Sequence, residues 1–164
     1  MTDDLRESHN TWLRILVVEN SQQRVADFES WLPEDSDVLL KPIRIGNVAI
    51  TMVERDQPRD WLGIMLDHDL DVLNTAIPYK SGWDVAVAMV SNTNREVPVL
   101  VHSMNPAGAD RMCRLLEAEG FDSVTRNPFS EVTQEAFLEW LSDCREMAAE
   151  HLEDLLDEPP GGDG

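Results

Sequence analysis

Short aliphatic runs alternate along the chain with segments in which apolar residues return every three or four positions. The runs are Arg14–Val18 (RILVV), 38–43, 61–66 (WLGIML), 97–101 (VPVLV) and 123–126. Three of them are nearly continuous in apolar residues, which is the look of parallel strands buried on both faces. After the first run Ser21 can cap a helix in which Val25, Phe28, Trp31 and Leu32 keep helical spacing until Pro33 stops it. A weakly amphipathic helix is expected over about 47–55, another over 82–90, and a third over 106–119 with Pro106 at its start and Gly120 at its close. The last helical pattern runs from 131 to about 157 through Val132, Ala136, Phe137, Trp140, Leu141, Cys144, Ala148, Leu152 and Leu155. Residues 70–81 have no period and contain Pro78, so they read as a long loop of the kind that often carries function.

Five strands alternating with five helices predict a parallel sheet covered on both faces, with right-handed crossovers. The expected fold is an α/β flavodoxin-like three-layer sandwich, strand order 2-1-3-4-5, with a long C-terminal helix. Residues 13–158 are expected to form this domain, after a polar leader over 1–12 and before a frayed Pro/Gly/Asp tail over 159–164. In such sheets ligands bind beyond the carboxyl ends of the strands, beside the switch between strands 1 and 3.

Composition narrows the setting. No apolar run approaches the roughly 20 residues that span a bilayer, and the first ten residues are polar and acidic, unlike a signal peptide. A cytoplasmic protein with no membrane partner is therefore expected. Cys113 and Cys144 fall on apolar faces of helical segments and read as buried reduced thiols. The 13 basic residues against 32 acidic ones give a formal charge of −19, which repels phosphate backbones and disfavours general nucleic-acid binding; a nucleic-acid end could still enter at a local basic spot.

The polar residues at the strand ends are the candidate chemistry. Glu19 ends the first run, Asp67, His68 and Asp69 end the third, and His102, Ser103 and Asn105 end the fourth. Adjacent strand ends lie about 5 Å apart, so these residues can share one rim. Each taken singly is what any strand shows on leaving the core, but two histidines and three acids at three neighbouring ends point to a site. Asp67, on a rigid strand end, suits a nucleophile or metal ligand. His68 and His102 suit acid/base work or metal ligation, and are expected to face each other across neighbouring strands. Glu19, Asp67 and Asp69 could hold a divalent cation, magnesium or a transition metal. Asn105 before Pro106 can cap the next helix, whose N-terminus offers N–H groups to an anion. Ser103, Asn105 and Arg111 are the candidate phosphate contacts; Lys80 and Arg126 are further bases in reach, and ordinary surface placement is the better account of each of the three bases.

These strand ends resemble response-regulator receiver domains over about residues 14–140: an acid after strand 1 (Glu19), an acid after strand 3 (Asp67), a hydroxyl after strand 4 (Ser103) and a proline after strand 5 (Pro128). Receivers carry two adjacent acids where this chain has Glu19-Asn20, and a lysine where it has Asn127. Weaker magnesium binding and a less supported phosphoryl group would follow. The sequence is more closely similar to the cyclic-phosphate processing receiver domains, in Leu66-Asp67-His68-Asp69-Leu70, in Ser81-Gly82-Trp83-Asp84, and in Val101-His102-Ser103-Met104-Asn105-Pro106-Ala107-Gly108 with Met112. That resemblance implies action on cyclic phosphate ends or related phosphoesters in RNA repair or conflict systems.

Two readings follow. One is a metal-assisted phosphoesterase with a small phosphoester or nucleic-acid end as its ligand, using His68, His102 and Asp67. The other is a signalling receiver or pseudo-receiver, with Asp67 as phosphoacceptor or the fold as a protein-binding module. The long last helix is expected to join two copies in a homodimer, since its apolar positions outrun one sheet face.

Overall fold

In the computed structural model, residues 13–55, 61–128 and 131–157 are described; the leader, the tail and Phe129 lie outside them. The chain runs β1 (Arg14–Val18), α1 (Gln22–Trp31), β2 (Leu39–Ile43), α2 (Gly46–Arg55), β3 (Gly63–Leu66), α3 (Gly82–Asn92), β4 (Val99–Val101), α4 (Pro106–Ala118), β5 (Val124–Arg126) and α5 (Gln134–Asp157). The strands are parallel in the order β2-β1-β3-β4-β5, as the alternation of elements predicts. β3 and β4 start two residues later than their apolar runs, although Trp61, Leu62, Val97 and Pro98 are already buried. Pro42, which cannot donate to a ladder, sits in β2 at the edge of the sheet, where that loss is tolerated.

Alternation along each strand sorts the core into two halves. Leu16, Val18, Ile64, Leu66, Val99 and Val101 face α2, α3 and α4, meeting Val53, Met89, Met112 and Leu116. Ile15, Val17, Met65 and Leu100 face α1 and α5, meeting Phe28, Phe137, Trp140 and Leu141. Cys113 lies in the first half and Cys144 in the second, both free thiols and both buried. Helix starts are fixed as their sequences suggest: the Ser21 hydroxyl accepts from the Arg24 amide, Ser81 and Asp84 form a reciprocal capping box, and Asn105 accepts from the Gly108 amide with Pro106 in the first turn. Among the described residues no helix is long and apolar enough to cross a membrane.

β3 is the central strand, and α5 lies directly against its first residue. A Cβ on Gly63 would come within 2.8 Å of the Trp140 ring and 2.9 Å of the Cys144 sulfur. Gly63→Ala should therefore lower stability by about 1–3 kcal/mol through overpacking, read as a reduced midpoint in urea unfolding; an unchanged midpoint would show that α5 yields there freely.

Candidate functional site

Glu19 directly follows β1 and Asp67 directly follows β3, and both acids are almost wholly buried, at 1% and 3% exposed. The Asp67 amide bonds to the Val18 carbonyl and the Glu19 amide to that of Ile43, so the backbone holds both acids firmly at the rim. Burial and the neighbouring Asp67 charge push Glu19 up to about 7. Asp67 is raised too, by burial, against the opposing hydrogen bonds from Glu19, Ser103 and the His68 amide and the charge of Arg24. Burial raises both carboxyls, so the pair resists carrying two full negative charges at once.

Arg24 completes this cluster. Its Nη1 lies 3.4 Å from Glu19 Oε1 and 3.6 Å from Asp67 Oδ2. The sequence carries one signal for it: a cation in the first turn of a helix opposes the helix dipole, so Arg24 needs nearby carboxylates to be at ease there.

His102 and His68 do not face each other. The Leu66↔Val101 pairing brings Asp67, not His68, level with His102. Side chains alternate beyond that point, so His102 turns to the α1 and α5 side and His68 to the α4 side. His102 is fully buried, edge-on to Phe28 with ring centroids 5.4 Å apart, and its Nδ1 lies 3.4 Å from Glu19 Oε2. Burial keeps it neutral, with its pKa lowered to about 3. A ring closed off from solvent is a support for Glu19 rather than a group that could reach a ligand, and the expected shared site for two histidines is not formed.

His68 stands in a second, more open cluster. Its Nδ1 lies 2.9 Å from Asp69 Oδ1 and 3.3 Å from Asn105 Nδ2. Asn105 caps α4 by accepting from Gly108 N–H at 3.0 Å, which leaves its Nδ2 as a donor. The consistent arrangement has His68 Nδ1–H and Asn105 both donating to Asp69, whose carboxyl is held below the usual range by the His68 hydrogen bond first and by Asn105 after it. Nε2 of His68 then carries the lone pair. The ring rests on the first turn of α4, where a Cβ on Gly108 would come within 2.5 Å of it. Gly82 backs the same spot from α3: its amide bonds to the His68 carbonyl at 2.8 Å, and a Cβ there would sit 1.9 Å from the Asp67 carbonyl oxygen. The three separate motifs therefore meet at His68.

The remaining candidates divide between the clusters. Ser103 is buried, bonds Asp67, and accepts from the Asn105 amide at 3.0 Å. Arg111 is exposed on α4 and lies over the Trp83 ring, 4.8 Å from its centroid. Arg126 is held by Asp110 and by the Pro106 carbonyl. The expected metal trio does not converge: Asp69 is taken up by His68, while Asn20, where receivers have a second acid, turns its amide to Asp71. Among the described residues no group of three or more His, Cys, Asp or Glu could hold a metal ion.

The family described as "Cyclic-phosphate processing Receiver domain" matches residues 1–118. No curated protein matches the chain. Among solved structures, the chain is similar to the signal receiver domain of a Luxo repressor protein from Vibrio parahaemolyticus, at TM-score 0.60 and 21% identity, covering 89% of this chain and 98% of that one. It is also similar to the Mn(2+)-bound form of response regulator Rcp1, at TM-score 0.55 and 19% identity over 79% of this chain and 89% of that one. A third is the receiver domain of a Pseudomonas aeruginosa sensor histidine kinase with magnesium in its active site cleft, at TM-score 0.53 and 19% identity over 79% of this chain and 98% of that one. At these identities the structures speak for a shared receiver fold.

Glu19 keeps a proton that the unfolded chain releases near pH 4.5, so its share of stability falls as pH rises from there to about 7. His102 acts oppositely: the unfolded chain protonates it near 6.5 and the folded one only near 3, so its share rises with pH between those values. Glu19→Gln removes the first slope and leaves the second. Relative to wild type the variant should gain up to about 3 kcal/mol between pH 4.5 and 7, at ~1.4 kcal/mol per pKa unit. Urea unfolding of both proteins across that range measures it, and parallel stability curves would place the Glu19 pKa near its ordinary value.

Proposed function

Since the chain belongs to the family of cyclic-phosphate processing receiver domains, we propose that it binds and hydrolyses a phosphoester, a small cyclic phosphate or the cyclic phosphate end of an RNA, at the His68 rim. The observation that carries this reading is the His68–Asp69 pair: a carboxylate 2.9 Å from Nδ1 orients the imidazole and leaves Nε2 to take a proton. In the proposed step water attacks phosphorus, His68 Nε2 takes its proton, the ring P–O bond opens, the freed sugar oxygen takes a proton from solvent, and the His68 imidazolium returns its own to solvent. The N-terminus of α4, on which the ring rests, offers partial positive charge to the phosphoryl oxygens. A net charge of −19 favours a short ligand over a long nucleic acid.

The second reading is a signalling receiver, supported by Asp67 at the end of β3 with Ser103 and Glu19 bonded to it. Here Asn127 follows β5, and Asp67 is closed in by its partners, so phosphoryl acceptance from a small donor is disfavoured. Self-association through the last turns of α5 remains part of the proposal, supported by Leu152, which is 45% exposed beyond the turns that cover the sheet.

Assay of a 2′,3′-cyclic nucleotide should show hydrolysis by wild type, a fall on the order of a hundredfold or more in His68→Ala, and a smaller fall in Asp69→Asn. His102→Ala should lose stability first, with activity retained at temperatures where it is folded. Incubation with acetyl phosphate and magnesium should leave the intact mass unchanged; stoichiometric addition at Asp67 with no hydrolysis in any sample would favour the signalling receiver instead.

A further inference from the structure

Two carboxylates as dry as Glu19 and Asp67 require compensation. A hard divalent cation, which prefers oxygen ligands, is one solution; a guanidinium, which is planar and weakly hydrated, is another. Here Arg24 lies 3.4 Å from one carboxylate and 3.6 Å from the other, in a helical turn where its charge works against the helix dipole. Helix formation gives no reason for a cation at that position, whereas the acid pair does. Among the described residues no further carboxylate joins the pair to complete a metal-binding group. Asp69 belongs to His68, Asn20 presents its amide to Asp71, and the inner side of Glu19 is met by the fully buried His102.

We propose that Arg24 is the resident cation of the Glu19–Asp67 pair, and that it determines which ligands this end of the sheet accepts: divalent cations are kept out, and an approaching anion meets a guanidinium. This goes beyond the phosphoester reading and holds whether or not the protein turns a substrate over. Loss of the guanidinium should open the pair to a metal, because two buried acids then lack their counter-charge.

Calorimetric titration of the full chain with manganese chloride tests this, using wild type, Arg24→Lys, Arg24→Gln, Glu19→Gln and the Arg24→Gln/Glu19→Gln double variant. Wild type and Arg24→Lys should show no saturable binding at submillimolar manganese. Arg24→Gln should bind one ion on the order of tenfold tighter or better, with a lowered melting temperature that manganese restores, and the double variant should lose that binding. Submillimolar one-to-one binding by wild type that disappears in Glu19→Gln would overturn the proposal. So would an Arg24→Gln protein that folds without gaining metal. If Arg24→Gln folds in neither condition, the wild-type and Glu19→Gln titrations decide by the same criteria.

Discussion

Carboxylates forced into a nearly dry place at the ends of β1 and β3 are the constraint around which this rim is built. The buried strands deliver Glu19 and Asp67 there at 1% and 3% exposure, and neither acid can keep a full charge alone. The structure answers with raised carboxyl pKa values, a guanidinium from α1, the Ser103 hydroxyl and the His68 amide. His102 is a consequence of the same constraint. It fills the space between Glu19 and the aromatic layer of Phe28 as a neutral ring.

His68, one residue beyond Asp67, escapes that layer because side chains alternate along β3. It emerges over α4, where Gly108 leaves room for its ring and Asn105, while capping the helix, helps to fix Asp69. Rigidity at Asp67 therefore becomes precision at His68. The proposed chemistry depends on this division: an inner cluster that is closed and charge-balanced, and an outer imidazole with an oriented tautomer and one nitrogen that carries a lone pair.

Much of the fold is legible in the sequence because buried parallel strands are written as unbroken aliphatic runs, as RILVV and VPVLV are, and because Ser21, Pro106 and Gly120 punctuate the helices. The set of strand-end residues was equally plain. Their grouping was not. Which face His68 and His102 take depends on register, and a register in which Leu66 pairs with Val101 rather than with its neighbour cannot be read from either strand alone. Arg24 was missed for a related reason: it belongs to a helix whose other residues speak only of capping and core, and its partners come from two strands. Asp69 stands among the expected metal acids in sequence, but its side chain pairs with His68.

The proposed chemistry requires His68 to be the outward, ligand-facing imidazole and His102 an internal one. Nitrogen-15 NMR of the imidazole rings, recorded while a 2′,3′-cyclic nucleotide is titrated in, tests this directly. It should show His68 with its proton on Nδ1 and with Nε2 shifting as ligand is added, and His102 neutral and unmoved down to a pH near 5. Ligand-dependent shifts at His102 with His68 unmoved would contradict it.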